Sequence, residues 1–248
     1  MDSKATSPAG RTATLIRQRI EQGGERLWRL EDFRDLSFAA AAQALSRMAR
    51  EGAIERLSKG IYYRPRQTAF GKSRPNPAAI RNLATTRKNA FPAGLSAASH
   101  LGFTTQNPRR PELATTASSL PRKLVGEDAL IHTRRPEAWS RLPATDAAIL
   151  DFLRNGGKTG ELSAKETIER MQAPLSEPGR YARLLAAAHT EPPRVRAMLG
   201  AFGELLCRTD EELKRLRDSL NPFSRFDFGI FASLPNAKSW QAKRHTLT

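Results

Sequence analysis

The sequence has almost no cysteine and no long apolar run, and each absence removes a class of protein. The single cysteine, Cys207, cannot form a disulfide within the chain or a cysteine-rich zinc site. Its neighbours Leu205 and Leu206 predict a small buried residue. No apolar run approaches the ~20 residues that span a bilayer, and the start MDSKATSPAGRT lacks the apolar segment of a signal peptide. We therefore expect a cytoplasmic protein without a membrane partner.

Signals of enzyme chemistry are also scarce. The four histidines are His100, His132, His189 and His245. None is four residues from another, so we expect no metal site. His100 lies beside Ser96 and Ser99, but the glycine pattern of a nucleophile elbow is absent. Residues 156–159 read GGKT, yet position 152, where a phosphate-binding loop needs its first glycine, is Phe152. We expect a helix-terminal turn there, no cofactor and no enzyme.

Positive charge is what the sequence has in excess. Its 248 residues carry 41 basic and 25 acidic side chains, for a net charge of +16, and 31 of the basic residues are arginine. The planar guanidinium group suits phosphates and guanine edges, so a nucleic-acid partner is favoured over the alternative of an arginine-rich surface without a ligand. The net charge is +7 over residues 1–75, +6 over 76–143 and +3 over 144–248.

The N-terminal pattern predicts a winged helix-turn-helix domain over residues 11–66, after a disordered lead-in at 1–10. The predicted elements are a helix at 12–22, a short helical turn at 30–35, a helix at 38–51 that begins after Ser37, and a hairpin at 53–64 with its turn at 58–60. Helix, short helix, helix and hairpin in this order are typical of a winged helix. Two small domains fit the chain length.

A linker at 67–77 and a larger helix-rich domain at 78–248 complete the predicted organisation. That domain has helices at 78–89 and 95–101, a small sheet within about 112–135, and helices after 143 with capping boxes at Ser163 and Thr209. Its predicted core residues are Leu184, Leu185, Val195, Leu199, Phe202 and Leu206. The predicted fold class is therefore α+β and predominantly helical.

The helix at 38–51 is the predicted recognition element. Alanines at 39–42 and 44 make it slim enough to approach a major groove closely. The candidate DNA-binding residues are Ser37, Ala40, Gln43, Arg47 and Arg50 on the helix and Arg56, Lys59, Arg64 and Arg66 on the wing. Helical spacing assigns Phe38, Ala41, Leu45 and Met48 to the core. The alternative is an alanine-rich core helix with a solvated basic face.

Three more basic pairs lie in the middle of the chain. They are Arg109 and Arg110, Arg122 and Lys123, and Arg134 and Arg135. They form either a solvated surface or a second basic face that extends a DNA footprint or binds RNA.

Four segments carry a resemblance to a known family. They read ALSRMAREGAIERLSKGIYY at 44–63, GLSAASHLGFTTQNP at 94–108, PPRVRAMLGAFG at 192–203 and LNPFS at 220–224. Together they resemble AbiEi-type antitoxins of bacterial toxin–antitoxin operons. Lys59 stands where many winged helices carry arginine before the wing glycine.

The resemblance implies a repressor that binds double-stranded DNA at its own promoter. It also implies that the protein counteracts a cognate nucleotidyltransferase-like toxin, with or without direct contact. Three alternatives stay open: a stand-alone winged-helix regulator, an RNA-binding or adaptor protein that uses the basic middle region, and an unrecognised nucleic-acid enzyme.

Overall fold

The computed structural model describes residues 8–69, 71–76, 90–106 and 108–243. They form two compact units, one of residues up to 76 together with 121–127 and one of residues 90–120 and 128–243. Helices dominate and the sheets are small, which confirms the α+β, mainly helical fold class. Within these ranges no helix has the length and apolar character needed to cross a bilayer. The predicted helix at 78–89 lies outside the described residues.

The first unit has the element order and sheet topology of a winged helix. Its elements are α1 (Pro8–Gln22), β1 (Leu27–Arg29), a 3-10 turn (Leu30–Phe33), α2 (Phe38–Arg50), β2 (Glu55–Ser58) and β3 (Ile61–Tyr63). The three strands form an antiparallel sheet in the order β1-β3-β2. β1 was not predicted, because three residues are too few to show the alternation of apolar and polar side chains that indicates a strand. The predicted lead-in is wrong for residues 8–10, which begin α1, and its residues 1–7 are not described.

The core of this unit lies between α1 and α2. Ile16 and Ile20 of α1 are buried, and Trp28 stacks on Phe33 with ring centroids 5.7 Å apart. The buried face of α2 is formed by Ala41, Ala44, Leu45 and Met48. The assignment of Phe38 to this core is wrong, because its side chain is 73% exposed. At 100° per residue, the buried face is centred near Ala41 and Met48, and Phe38 falls beyond its edge.

The segment predicted as a linker is partly folded. β4 (Gln67–Thr68) pairs with β5 (Gly71–Lys72), and the hydroxyl of Thr68 donates to the carbonyl of Gly71 at 2.7 Å. Ser73 then contacts the sheet, since its hydroxyl lies 2.9 Å from the Tyr63 hydroxyl. Tyr63 also donates to Glu25 at 2.5 Å. Burial raises the pKa of Tyr63, and the bond from its hydroxyl lowers the pKa of Glu25.

The second unit packs a three-stranded sheet against helices. Its elements are β6 (Ala90–Pro92), α3 (Gly94–His100), β7 (Glu112–Thr115), β8 (Leu130–His132), a 3-10 turn (Glu137–Arg141), α4 (Ala144–Arg154), α5 (Ala164–Ser176), α6 (Arg180–Ala188), α7 (Pro193–Leu205), α8 (Asp210–Asp218), and 3-10 turns Gly229–Ser233 and Ala237–Trp240. β7 is the central strand, antiparallel to β6 and parallel to β8. β7 and β8 confirm the small sheet predicted within about 112–135, whereas β6 lies outside that range and residues Arg122–Val125 within it are helical.

Local sequence signals in this unit are mostly confirmed. The Ser163 and Thr209 side chains each accept a backbone N–H at the starts of α5 and α8, as the capping boxes predict. Of the predicted core residues, Leu184, Val195, Leu199 and Phe202 are buried, whereas Leu185 and Leu206 are only half-buried. Cys207 contradicts its prediction. It is exposed, because the chain leaves α7 there with a positive φ of 52°.

Three carboxylates are buried in the second unit, and each is bound by arginine. Asp146 accepts from Arg180 at 2.8 Å and from Arg183 at 2.6 Å. Asp151 accepts from Arg135 at 2.6 Å, and also from the backbone N–H of Gly94 at 2.7 Å, which ties α4 to the start of α3. Glu191 accepts from Trp139 at 2.7 Å and from Arg154 at 2.6 Å. Because each charge is paired inside the unit, these groups fix the packing of its helices.

Candidate nucleic-acid interface

The exposed face of α2 is a strip of small and basic side chains. Ala39, Gln43, Arg47 and Arg50 are exposed and lie on the side opposite the buried face. Gln43 and Arg47 are one turn apart, so both point to the same side. Neither Arg47 nor Arg50 forms an ion pair within the described residues. Their guanidinium groups are therefore free to bind a ligand.

The two remaining helix candidates differ in accessibility. Ser37 is exposed at the N-cap of α2, and its side chain makes no capping hydrogen bond. Its hydroxyl can therefore donate to a ligand, as hydroxyls at a helix start do in contacts with phosphates. Ala40 is half-buried, so only part of its methyl group is accessible.

The wing presents two of its four predicted cations without an internal partner. Arg56 lies on β2, and Lys59 lies in the turn to β3. Both are exposed, and within the part of the chain that the structure describes neither forms an ion pair. Arg66 is exposed beyond β3, and its backbone is tied to Ser73 by an N–H donated to the hydroxyl at 2.7 Å.

Arg64 is a structural residue, which corrects its assignment to the wing's DNA-binding set. Its guanidinium donates to the carbonyl of Ile20 at 2.7 Å and also to the carbonyl of Glu21, at the C-terminal end of α1. The last carbonyls of a helix have no partner within the helix, and they carry partial negative charge. Arg64 therefore caps α1, and its guanidinium is held at that helix end.

The residues of the predicted second basic face divide between the two units. Arg122 and Lys123 form a one-turn helix (Arg122–Val125) in the winged-helix unit, where Lys123 lies 3.7 Å from Glu55 of β2. In the second unit Arg109, Arg110 and Arg134 are exposed, but Arg135 is bound to the buried Asp151. Arg135 is thus removed from the candidates.

A basic groove beside the wing contains residues that the sequence analysis missed. The groove has a volume of about 600 Å³, and its charged lining consists of Arg56, Lys72, Arg74, Lys123 and Glu55. Lys72 and Arg74 are the two residues that were missed, since they lie in the segment predicted as a linker, whereas Lys123 was predicted as part of the second basic face. In the sequence, positive charge was the one feature that could have identified these residues. Four cations against one carboxylate make this groove an extension of the cationic wing.

The comparisons with known proteins include a family match and a similarity to a solved structure. Residues 17–131 match the model of a family described as a family of unknown function (DUF6088). This stretch covers α2, the wing and the sheet of the second unit up to Ile131. The chain is also similar to the RV2827C protein from Mycobacterium tuberculosis, at 17% identity over 92% of this chain and 87% of that one, with a TM-score of 0.43. No curated protein matches the chain.

His100, His132 and the GGKT segment make structural contacts within the second unit. His132 lies 2.8 Å from Glu112, and His100 lies 3.1 Å from the hydroxyl of Thr145. The described residues contain no group of three metal-ligating side chains. Gly156 and Gly157 have φ values of 60° and 73° directly after α4, so the segment forms the turn that ends this helix, as predicted.

Proposed function

We propose that this protein binds double-stranded DNA sequence-specifically through its winged-helix unit. The supporting observation is the exposed strip of α2, in which Gln43, Arg47 and Arg50 stand beside small side chains on the helix that a winged helix uses for recognition. A glutamine can form two hydrogen bonds with adenine, and an arginine can do so with guanine. Alanine neighbours allow the helix axis to come close to the bases.

The wing supplies the sequence-independent part of binding in this proposal. Arg56 and Lys59 are exposed without internal partners, and the basic groove adds Lys72, Arg74 and Lys123 on the same unit. Contacts of such cations with phosphates fix the register of a protein on the duplex but do not distinguish bases. The two sets of residues therefore have separable roles in this proposal: α2 recognises bases, and the wing contacts the phosphates of the DNA.

The biological role that we propose is autorepression within a toxin–antitoxin operon. Its support is the resemblance of four segments to AbiEi-type antitoxins. The protein would repress its own promoter in the cytoplasm and counteract a nucleotidyltransferase-like toxin, without catalysing a reaction itself. The second unit, which contains the stretch of lowest net charge (+3 over residues 144–248), would serve the antitoxin role.

The DNA-binding proposal is tested by fluorescence anisotropy on three probes: the duplex upstream of the protein's own gene, a scrambled duplex and a structured RNA. Gln43→Ala and Arg47→Ala should each weaken promoter binding by about 1–3 kcal/mol and leave scrambled-duplex binding nearly unchanged. Alanine is the best helix former, so neither change disturbs α2. Exposed residues of the second unit provide matched controls in Lys165→Ala and Arg141→Ala.

Two outcomes would contradict this assignment. Equal losses on both duplexes would mean that Gln43 and Arg47 bind phosphates rather than bases. Stronger binding to RNA than to the promoter would favour an RNA-binding protein. The antitoxin role is measured separately, as rescue of growth when the full chain is co-expressed with the product of a neighbouring nucleotidyltransferase-like gene. Failure of rescue would remove that role but leave autorepression standing.

A further inference from the structure

Phe38 is an exposed aromatic ring at the start of the proposed recognition helix. It is the first residue of α2, and its side chain is 73% exposed. The other large apolar side chains of this helix, Leu45 and Met48, are buried. Among the described residues of the winged-helix unit, Leu15 is the one other large apolar side chain that is exposed, at 45%. Burial of a phenylalanine ring is favourable, so a ligand that covers this ring gains binding free energy.

The surroundings of Phe38 fit a small apolar group rather than a protein surface. Its neighbours in the chain, Ser37 and Ala39, are exposed and small, and the exposed Gln43 and Arg50 lie about 140° and 120° round the helix axis from it. A stable protein–protein interface buries about 800 Å² on each side, and one ring supplies only about 150–250 Å². A partner that meets cations along the rest of the helix is itself anionic. Its apolar part has to be small.

The major groove of DNA offers such a group. Thymine carries a 5-methyl group on the groove floor, and it is the apolar group by which proteins recognise this base. In helix-turn-helix proteins the N-terminal residues of the recognition helix contact the base edges. We propose that Phe38 reads the methyl group of a thymine in the protein's binding site. This inference rests on the proposed DNA-binding function and adds a specificity-determining residue to it.

The test removes the methyl group without changing base pairing. A duplex that binds the full chain is selected from a random library, and each thymine in it is replaced in turn by deoxyuridine. Wild-type affinity should fall about fourfold at one thymine, which corresponds to one methyl group left in water. Phe38→Ala should bind the thymine and deoxyuridine duplexes equally at that position. Phe38→Leu, which keeps an apolar side chain, should retain part of the difference.

Leu15→Ala is the matched control, because it also removes an exposed apolar side chain, but from α1. This variant should show the same loss of affinity as the wild type when the sensitive thymine is replaced by deoxyuridine. The inference is overturned if no thymine is sensitive in the wild type, or if Phe38→Ala keeps the sensitivity. It is also overturned if Phe38→Ala converts a dimer to a monomer in sedimentation, since a second copy of the chain would then cover the ring. If no duplex is selected at all, the DNA-binding proposal itself fails.

Discussion

Replacing single wing cations should separate residues that contact phosphates from the one that caps α1. Arg56→Ala and Lys59→Ala remove exposed charges that have no ion-pair partner in the described part of the chain. Arg64→Ala removes an equal charge a few residues away, but this guanidinium is bound to the carbonyls of Ile20 and Glu21. The three variants change the net charge identically and differ only in structural position.

The expected magnitudes follow from counterion release and from hydrogen bonding. Each phosphate contact contributes about 0.9 to the slope of log affinity against log salt, so Arg56→Ala and Lys59→Ala should each reduce the slope by about one. Between 50 and 200 mM salt, such a variant should lose about 3.5-fold less affinity than the wild type. Arg64→Ala should leave the slope unchanged and lower the free energy of unfolding by about 1–3 kcal/mol, because it leaves carbonyls at the end of α1 without their charged donor.

The assay is fluorescence anisotropy on a random-sequence duplex over a series of salt concentrations, together with urea denaturation of each variant. A random duplex isolates the phosphate contacts from base recognition. The reasoning is refuted if Arg64→Ala lowers the slope as much as Arg56→Ala does. Unchanged slopes for both Arg56→Ala and Lys59→Ala would remove the wing from the interface.

Two further predictions concern the second unit. Asp146→Ala should lower the free energy of unfolding by about 1.5–3 kcal/mol in urea denaturation, because it removes the buried carboxylate that accepts from Arg180 and Arg183 and leaves Arg180 with Glu177 as its ion-pair partner; a loss below 1 kcal/mol would contradict this. The pKa of Glu161 is lowered, chiefly by the hydroxyl of Thr104 and the amide of Thr105. The ionised carboxylate of Glu161 should contribute its full stabilisation above its ordinary pKa of 4.5 and lose it as pH falls through the lowered pKa. The melting temperatures of the wild type and Glu161→Gln should therefore converge in acid.

Features that depend on local sequence were predictable. The position of α2, the hairpin with its turn around Lys59, the capping boxes at Ser163 and Thr209, and the glycine turn after α4 were all predicted from the residues. In each case the deciding interaction joins residues a few positions apart. A hydroxyl at a helix start bonds an N–H three residues later, and a glycine takes the positive φ that ends a helix.

Features that depend on contacts distant in sequence were not predictable, and they decide which cations are left without an internal partner. The sequence does not distinguish Arg64 from the other wing arginines, because its partner is a carbonyl at the end of α1. It does not distinguish Arg135 from the exposed arginines either, because its partner is the buried Asp151. Lys123 joins the wing because residues 121–127 fold onto the first unit.

The exposure of Phe38 on α2 could not be predicted from the sequence either. Periodicity identifies the apolar stripe of an amphipathic helix. The rotation of that helix against α1, however, decides whether a residue at the edge of the stripe is buried or exposed. The sequence by itself thus determined the winged-helix elements and their positive charge. The tertiary structure decided which side chains those elements leave for a ligand, because burial and ion pairing arise only when distant segments meet.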